Sequence, residues 1–199
     1  VPVLKEKGIR AILKIDSGTE DSGLLKDFDV EDMVYYGFEN GCYGTKMRSI
    51  IHNIDTIAPV LEQQFKLAET IYENNLMPIV EPEIDIKNPN KQMLEDALAK
   101  SLKDHLGKMK GRCILKLTIP DTPNTYLGLT ESHSLIRLVG LSGGYSTEQA
   151  CLKLSFNRHM QASFSRALSE GLHYNDPDEY FETAISKNIS NIKQASSSG

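Results

Sequence analysis

Four pairs of residues, each two positions apart, carry most of the reactive chemistry in this chain: Lys14 and Asp16, Lys46 and Arg48, Glu81 and Glu83, Lys116 and Thr118. In an extended strand, residues i and i+2 point to one face, so each pair presents its polar groups together. Lys116 is the sharpest case. It interrupts the apolar run "CILKLT" (113–118), and enclosing an ammonium among apolar neighbours is costly unless a partner compensates. Apolar surroundings and nearby cations both favour the neutral amine, and a neutral amine attacks a ketone to form a Schiff base. Such a step needs a carboxyl group to move protons, which Glu81 or Glu83 could supply. Lys14, Lys46, Arg48 and Arg166, with the backbone N–H groups of "SGG" (Ser142, Gly143, Gly144), are suited to phosphates. The substrate these residues imply is a phosphorylated ketone.

Plainer readings exist for every one of these features. A strand lysine commonly reaches solvent, Glu-Pro-Glu commonly forms a surface turn, and "SGG" is commonly a plain turn. What speaks against chance is recurrence: six strand-like segments all finish in polar chemistry, including "SGG" and "SFSRA" (163–167). Catalytic groups at the C-terminal ends of several strands are the mark of a (β/α) barrel.

The elements that would position these groups alternate along the chain. Strands are expected at "RAILKID" (10–16), "GCYGTKMRS" (41–49), "LMPIVEPE" (76–83), "CILKLT", "LIRLVGL" (135–141) and "QASFS" (161–165). Helices are expected over 58–75, 88–106, 146–157 and 177–194. The first has Leu61, Phe65, Leu67, Ala68 and Ile71 toward one side, and the second has Asn88 or Asn90 as a cap. Strand onsets lie roughly 25–35 residues apart, the size of one βα unit. The fold class is therefore α/β, a parallel sheet covered by helices, and about six βα units are counted. No G-x-G-x-x-G follows the first strand, which disfavours a dinucleotide site. Residues 1–194 are expected to form one domain, and "ASSSG" (195–199) a disordered tail.

Composition narrows the function classes. The chain has 199 residues, 40% of them hydrophobic, and a net charge of −5, so neither nucleic-acid nor membrane binding is expected. No run of about 18 apolar residues and no charged-then-apolar leader is present. Cys42, Cys113 and Cys151 are far apart, as free thiols of a reducing compartment would be. The five histidines have no metal-ligand spacing, so no metal and no other cofactor is expected.

The segments "LKID" (13–16), "GTKMRS" (44–49), "EQQFKLAETI" (62–71), "PIVEPEIDI" (78–86), "LKLT" (115–118), "LSGGYS" (141–146) and "ASFSRAL" (162–168) run in order across most of the chain. Together they resemble class I fructose-1,6-bisphosphate aldolase of the shorter, bacterial type. The resemblance implies a (β/α)8 TIM barrel and reversible, metal-independent cleavage of fructose 1,6-bisphosphate to dihydroxyacetone phosphate and glyceraldehyde 3-phosphate, in the cytoplasm. It implies that Lys116 forms the Schiff base and Glu81 transfers protons, with Lys46 and Glu83 supporting the imine chemistry. Lys14 and Arg48 would line the way to the second phosphate, with Asp16 beside them. Ser142, Gly143 and Gly144 would hold the ketone-side phosphate with Ser165 and Arg166.

Some features depart from the family pattern. No "LDQS"-like segment with its catalytic aspartate is found, and Ser17 stands where the family often has lysine. "RAILKID" corresponds to the third strand, so strands three to eight are expected here and an N-terminal portion is expected to be lacking. An inactive truncated homologue that binds phosphorylated sugars, or another Schiff-base sugar-phosphate aldolase, remain alternatives.

Overall fold

The computed structural model describes residues 1–197. Six parallel strands form one sheet in sequential order: β1 (Ile12–Lys14), β2 (Gly44–Ile51), β3 (Met77–Ile84), β4 (Cys113–Thr118), β5 (Leu135–Leu141) and β6 (Met160–Ala162). Parallel neighbours require a crossover, and helices supply most of them: α2 (Val30–Glu39), α3 (Ile54–Glu73), α4 (Lys91–Lys108) and α5 (Thr147–Ser155). A short α1 (Pro2–Glu6) precedes the sheet, a 3-10 turn (Leu127–Glu131) joins β4 to β5, and α6 (Asp178–Ser197) follows β6.

Local chemistry explains where the helices start. Asn53 accepts hydrogen bonds from the N–H groups of Asp55 and Thr56, while the Thr56 hydroxyl accepts from Asn53 N–H. This reciprocal capping box starts α3 four residues before the expected start at residue 58 and satisfies N–H groups a helix end otherwise leaves bare. Pro59 is accommodated close to that start. Ser146 caps α5 in the same way, with Gln149 as its reciprocal partner. Asn90 begins α4 without a side-chain cap.

The core lies between the sheet and its helices. Leu61, Phe65, Ala68 and Ile71 of α3 and Leu94, Leu98, Leu102 and Leu106 of α4 are buried against Met47, Ile51, Val80, Ile84, Leu115 and Leu117. The leucines of α4 recur every fourth residue and so form one apolar stripe. Fully burying such a side chain contributes about 1.5–3 kcal/mol. Leu67, expected among the inward set, is only partly buried. In β4, Cys113, Leu115 and Leu117 are buried while Ile114 and Lys116 alternate with them and are partly open. That alternation turns Lys116 away from the helix-covered face.

Several expectations change. α2 reads poorly as a helix because only Val34 and Gly37 are buried while Tyr35, Tyr36 and Phe38 stay exposed; its Asp29 cap, which accepts from Asp32 N–H, is the local signal for it. β1 and β6 are three-residue strands, so "SFS" lies beyond β6. The expected disordered tail is helical over residues 195–197: Ala195 is buried, and the Ser196 hydroxyl accepts from Ala162 N–H. Residues 198 and 199 of that segment lie outside the described residues.

Candidate active site

The register of the parallel ladder brings the reactive pairs to one end of the sheet. Lys14 lies opposite Lys46, and Arg48 opposite Glu81. β3 and β4 pair at Ile79–Ile114 and Val80–Leu115, which carries Glu81 and Lys116 to neighbouring positions just past those pairs.

Glu81 is the centre of the constellation. Its side chain is only 4% exposed, its Oε1 lies 3.0 Å from Lys116 Nζ, and its Oε2 lies 3.0 Å from Lys46 Nζ. The Oε2 contact is an ion pair without the angles of a hydrogen bond. Lys46 and Lys116 are each about one-fifth exposed or less. One nearly buried carboxylate therefore holds two amines that remain open to solvent, and this answers how a lysine is tolerated within an apolar strand. Removing charge from a buried pair is far costlier than the net stability such a pair provides.

A second carboxylate organises the neighbouring cation. Arg48 Nε donates to Glu83, and this hydrogen bond is the main reason the guanidinium is held above its ordinary pKa, against the opposing effect of burial. Asp16, buried, receives Lys14 Nζ at 2.8 Å and the N–H groups of Gly18 and Arg48 at 3.3 Å. Asp16 thus links the ends of β1 and β2. Carboxylates alternate with cations along this rim, so each cation is held in place before a ligand arrives.

The loop after β5 forms a separate polar cradle. Gly143 and Gly144 adopt φ of +60° and +118°, a conformation that favours glycine. Space demands glycine as well: a Cβ on Gly143 would lie 2.6 Å from Ile86 Cγ2. A Cβ on Gly144 would lie 4.0 Å from an Arg166 guanidinium nitrogen, which places Arg166 over this loop. Ser142 is buried, and its carbonyl accepts from Tyr145 N–H just before the start of α5. Ser165 and Arg166 are exposed; of that pair, Arg166 is the one brought to the glycines. The Thr118 methyl lies 3.9 Å from the same Gly143 Cβ position, so the cradle adjoins the end of the Lys116 strand. Thr118's hydroxyl is engaged elsewhere, donating to Ile84 O and accepting from Ile84 N–H.

A charge cluster behind β4, buried at Lys91 and Glu95 and partly open at Asp121 and Lys153, lies outside the expected site. Lys91 Nζ contacts Glu95, the Ile119 carbonyl at 3.0 Å and Asp121 at 3.1 Å, and Lys153 joins Asp121 at 3.2 Å. Burial pushes the Glu95 carboxyl up, partly offset by the Asp121 N–H and Lys91. The i, i+4 spacing of Lys91 and Glu95 on one helix was the only sequence sign of it. Among the described residues, no group of three or more His, Cys, Asp or Glu side chains is gathered to hold a metal ion, and no helix is long and apolar enough to cross a membrane.

No protein-family model matches the chain. A class 1 fructose-bisphosphate aldolase of Clostridium acetobutylicum is 40% identical over 200 residues, covering 96% of this chain and 68% of that protein. The enzymes of the same name from Synechocystis and Porphyromonas gingivalis are each 39% identical, with 96% of this chain and 67% and 68% of theirs covered. A solved structure of fructose-bisphosphate aldolase from Plasmodium falciparum, in complex with TRAP and a small molecule inhibitor, superposes with a TM-score of 0.78 over 98% of this chain and 71% of that one. At 19% identity that likeness speaks for the fold: six strands and their helices match part of an aldolase (β/α) barrel. On the strength of the sequence relatives, whose length it spans by about two thirds, the chain belongs to the class 1 fructose-bisphosphate aldolase family.

Proposed function

We propose that this protein is a Schiff-base aldolase that reversibly cleaves fructose 1,6-bisphosphate, with Lys116 as nucleophile and Glu81 as the group that moves protons. The observation that carries this reading is the single carboxylate of Glu81 ion-paired with Lys116 at one oxygen and Lys46 at the other. Glu81 is placed to take the ammonium proton of Lys116 and free the amine lone pair for the substrate's C2 ketone. It then returns a proton to the departing hydroxyl, so water leaves and an iminium remains. The C3–C4 bond breaks with its electrons flowing into the iminium, and a base takes the C4 hydroxyl proton. Glyceraldehyde 3-phosphate departs. Protonation of the enamine at C3 and hydrolysis then release dihydroxyacetone phosphate and restore the amine.

The cations take the charges at either end. Ser142, Gly143, Gly144 and Arg166 form the cradle for the phosphate on the ketone side; Ser165 adjoins Arg166 in the chain and would join them only on binding. Lys14 and Arg48, set by Asp16 and Glu83, face the second phosphate. Lys46 supports the imine steps by sharing Glu81. The partner is thus a small sugar bisphosphate, and the unpaired state of Cys42, Cys113 and Cys151 supports a reducing, cytoplasmic setting. The test is trapping: dihydroxyacetone phosphate with borohydride is expected to add covalently to Lys116, read by peptide mass mapping. An adduct on Lys14 or Lys46 instead would overturn the assignment.

A further inference from the structure

We infer that Gln64, on the outer helix α3, is a positioning residue that fixes the backbone of Glu81; this rests on the proton-transfer role proposed for Glu81. Gln64 is fully buried among Leu61, Phe65 and Ala68 on the apolar side of its helix. Its Oε1 accepts the N–H of Glu81 at 2.9 Å. Its Nε2 has no hydrogen-bond partner among the described residues. A buried amide with an unmet donor costs about 1–3 kcal/mol, and an apolar side chain of the same length would remove that cost only by leaving the buried Glu81 N–H unmet instead. What an apolar residue could not do is hold the peptide of Glu81.

The place of that bond gives it its purpose. The register of β3 with β4 covers Ile79–Ile114 and Val80–Leu115. Immediately beyond it, two side chains act on the β3 backbone: Gln64 at Glu81, and Thr118 at both the N–H and the carbonyl of Ile84. Between those two anchors lie Glu81 and Glu83, the carboxylates that hold Lys46, Lys116 and Arg48. Reacting groups must be held to within about 0.5 Å for full rate, and the direction in which Glu81 leaves its strand is set by the peptide that Gln64 grips. α3 thus reaches through the core to the reaction centre without touching substrate.

Two variants separate this role from packing. Gln64→Met keeps length and burial but removes both the acceptor and the unmet donor. Its Tm is expected to change little, because an unmet Nε2 is exchanged for an unmet Glu81 N–H, while kcat falls about ten-fold or more with KM changed less than about two-fold. Amide hydrogen exchange at Glu81 is expected to quicken about ten-fold or more in the same variant. Gln64→Glu, which burial favours as the neutral acid, retains an acceptor oxygen and is expected to recover both protection at Glu81 and most of kcat. A Gln64→Met enzyme with wild-type kcat, or unchanged exchange at Glu81, overturns the inference. So does a loss of kcat that merely follows a lower Tm. If the wild-type protein itself forms no adduct with dihydroxyacetone phosphate, the proposed function fails; the exchange comparison still reads whether Gln64 holds the Glu81 peptide.

Discussion

Lys116 Nζ at the end of β4 lies 3.0 Å from Glu81 Oε1 at the end of β3. The contact joins the proposed nucleophile to the proposed proton acceptor with no intervening group, and Lys46 lies against the carboxylate's other oxygen. The two lysines therefore have unequal prospects. Both sit against the same acid, but Lys116 stands on the strand whose end adjoins the glycine loop at Gly143, the proposed phosphate cradle.

This asymmetry predicts the outcome of replacing each amine. Lys116→Ala and Lys116→Arg are both expected to abolish the borohydride-trapped adduct, because a guanidinium stays protonated and cannot attack. Lys46→Met is expected to keep the adduct on Lys116 and slow its formation. Peptide mapping of the three variants checks this, and an adduct that persists in Lys116→Arg would contradict it.

Glu81→Gln preserves shape and removes the proton acceptor. Turnover is expected to fall by about two to four orders of magnitude, the usual scale for a general acid–base group. The thermal midpoint should also change, since two amines lose their shared anion. An unchanged rate would remove Glu81 from the mechanism and leave it as a structural counter-ion.

Much of this geometry was legible in the sequence, for reasons that differ by element. "CILKLT" and "LIRLVGL" match the bounds of β4 and β5 because each is an apolar run ended by turn residues. The two-residue period then placed Lys116 on the open face. Glu81 was visible as an acid on a strand, but its bridging of two lysines was not, since that depends on the register of three strands. Gln64 was invisible for a similar reason. A glutamine within a helical pattern reads as a solvent-facing position, and its partner is a backbone N–H brought near only by packing. α2 is hard to read because its exposed Tyr35, Tyr36 and Phe38 obscure the inward stripe of Val30, Met33, Val34 and Gly37.

The cluster behind β4 predicts a pH dependence of stability. Burial raises the Asp121 carboxyl, but the hydrogen bonds and charges of Lys91 and Lys153 outweigh it and hold the group below its ordinary 3.8. A carboxylate depressed in the folded state contributes stability above its unfolded value and loses it as pH falls through the folded value. Asp121→Asn is therefore expected to lower Tm near neutral pH. The gap from wild type should narrow as pH drops from about 6 to about 3. Melting curves across that range check the sign; a gap that widens toward acid would mean Asp121 is not the stabilising partner.

The glycine cradle offers a test of how the ketone-side phosphate is held. Gly143 has φ of +60°, and an added Cβ would meet Ile86 Cγ2 at 2.6 Å. Gly143→Ala therefore faces two separate penalties. A left-handed conformation costs a non-glycine residue about 1–2 kcal/mol, and the clash displaces either Ile86 or the loop. Ile86 is only partly buried, so the pair Gly143→Ala with Ile86→Ala removes the clash while leaving the backbone penalty in place. If the loop binds phosphate through its N–H groups, Gly143→Ala should raise KM for fructose 1,6-bisphosphate by about ten-fold or more with a smaller change in kcat. The double variant should recover part of that loss, because the loop can return toward its position next to Arg166. Borohydride trapping at saturating dihydroxyacetone phosphate should still label Lys116 in both variants, since the amine and Glu81 are on other strands. A Gly143→Ala enzyme with unchanged KM would show that the phosphate is bound elsewhere, and that the glycines serve only to turn the chain into α5.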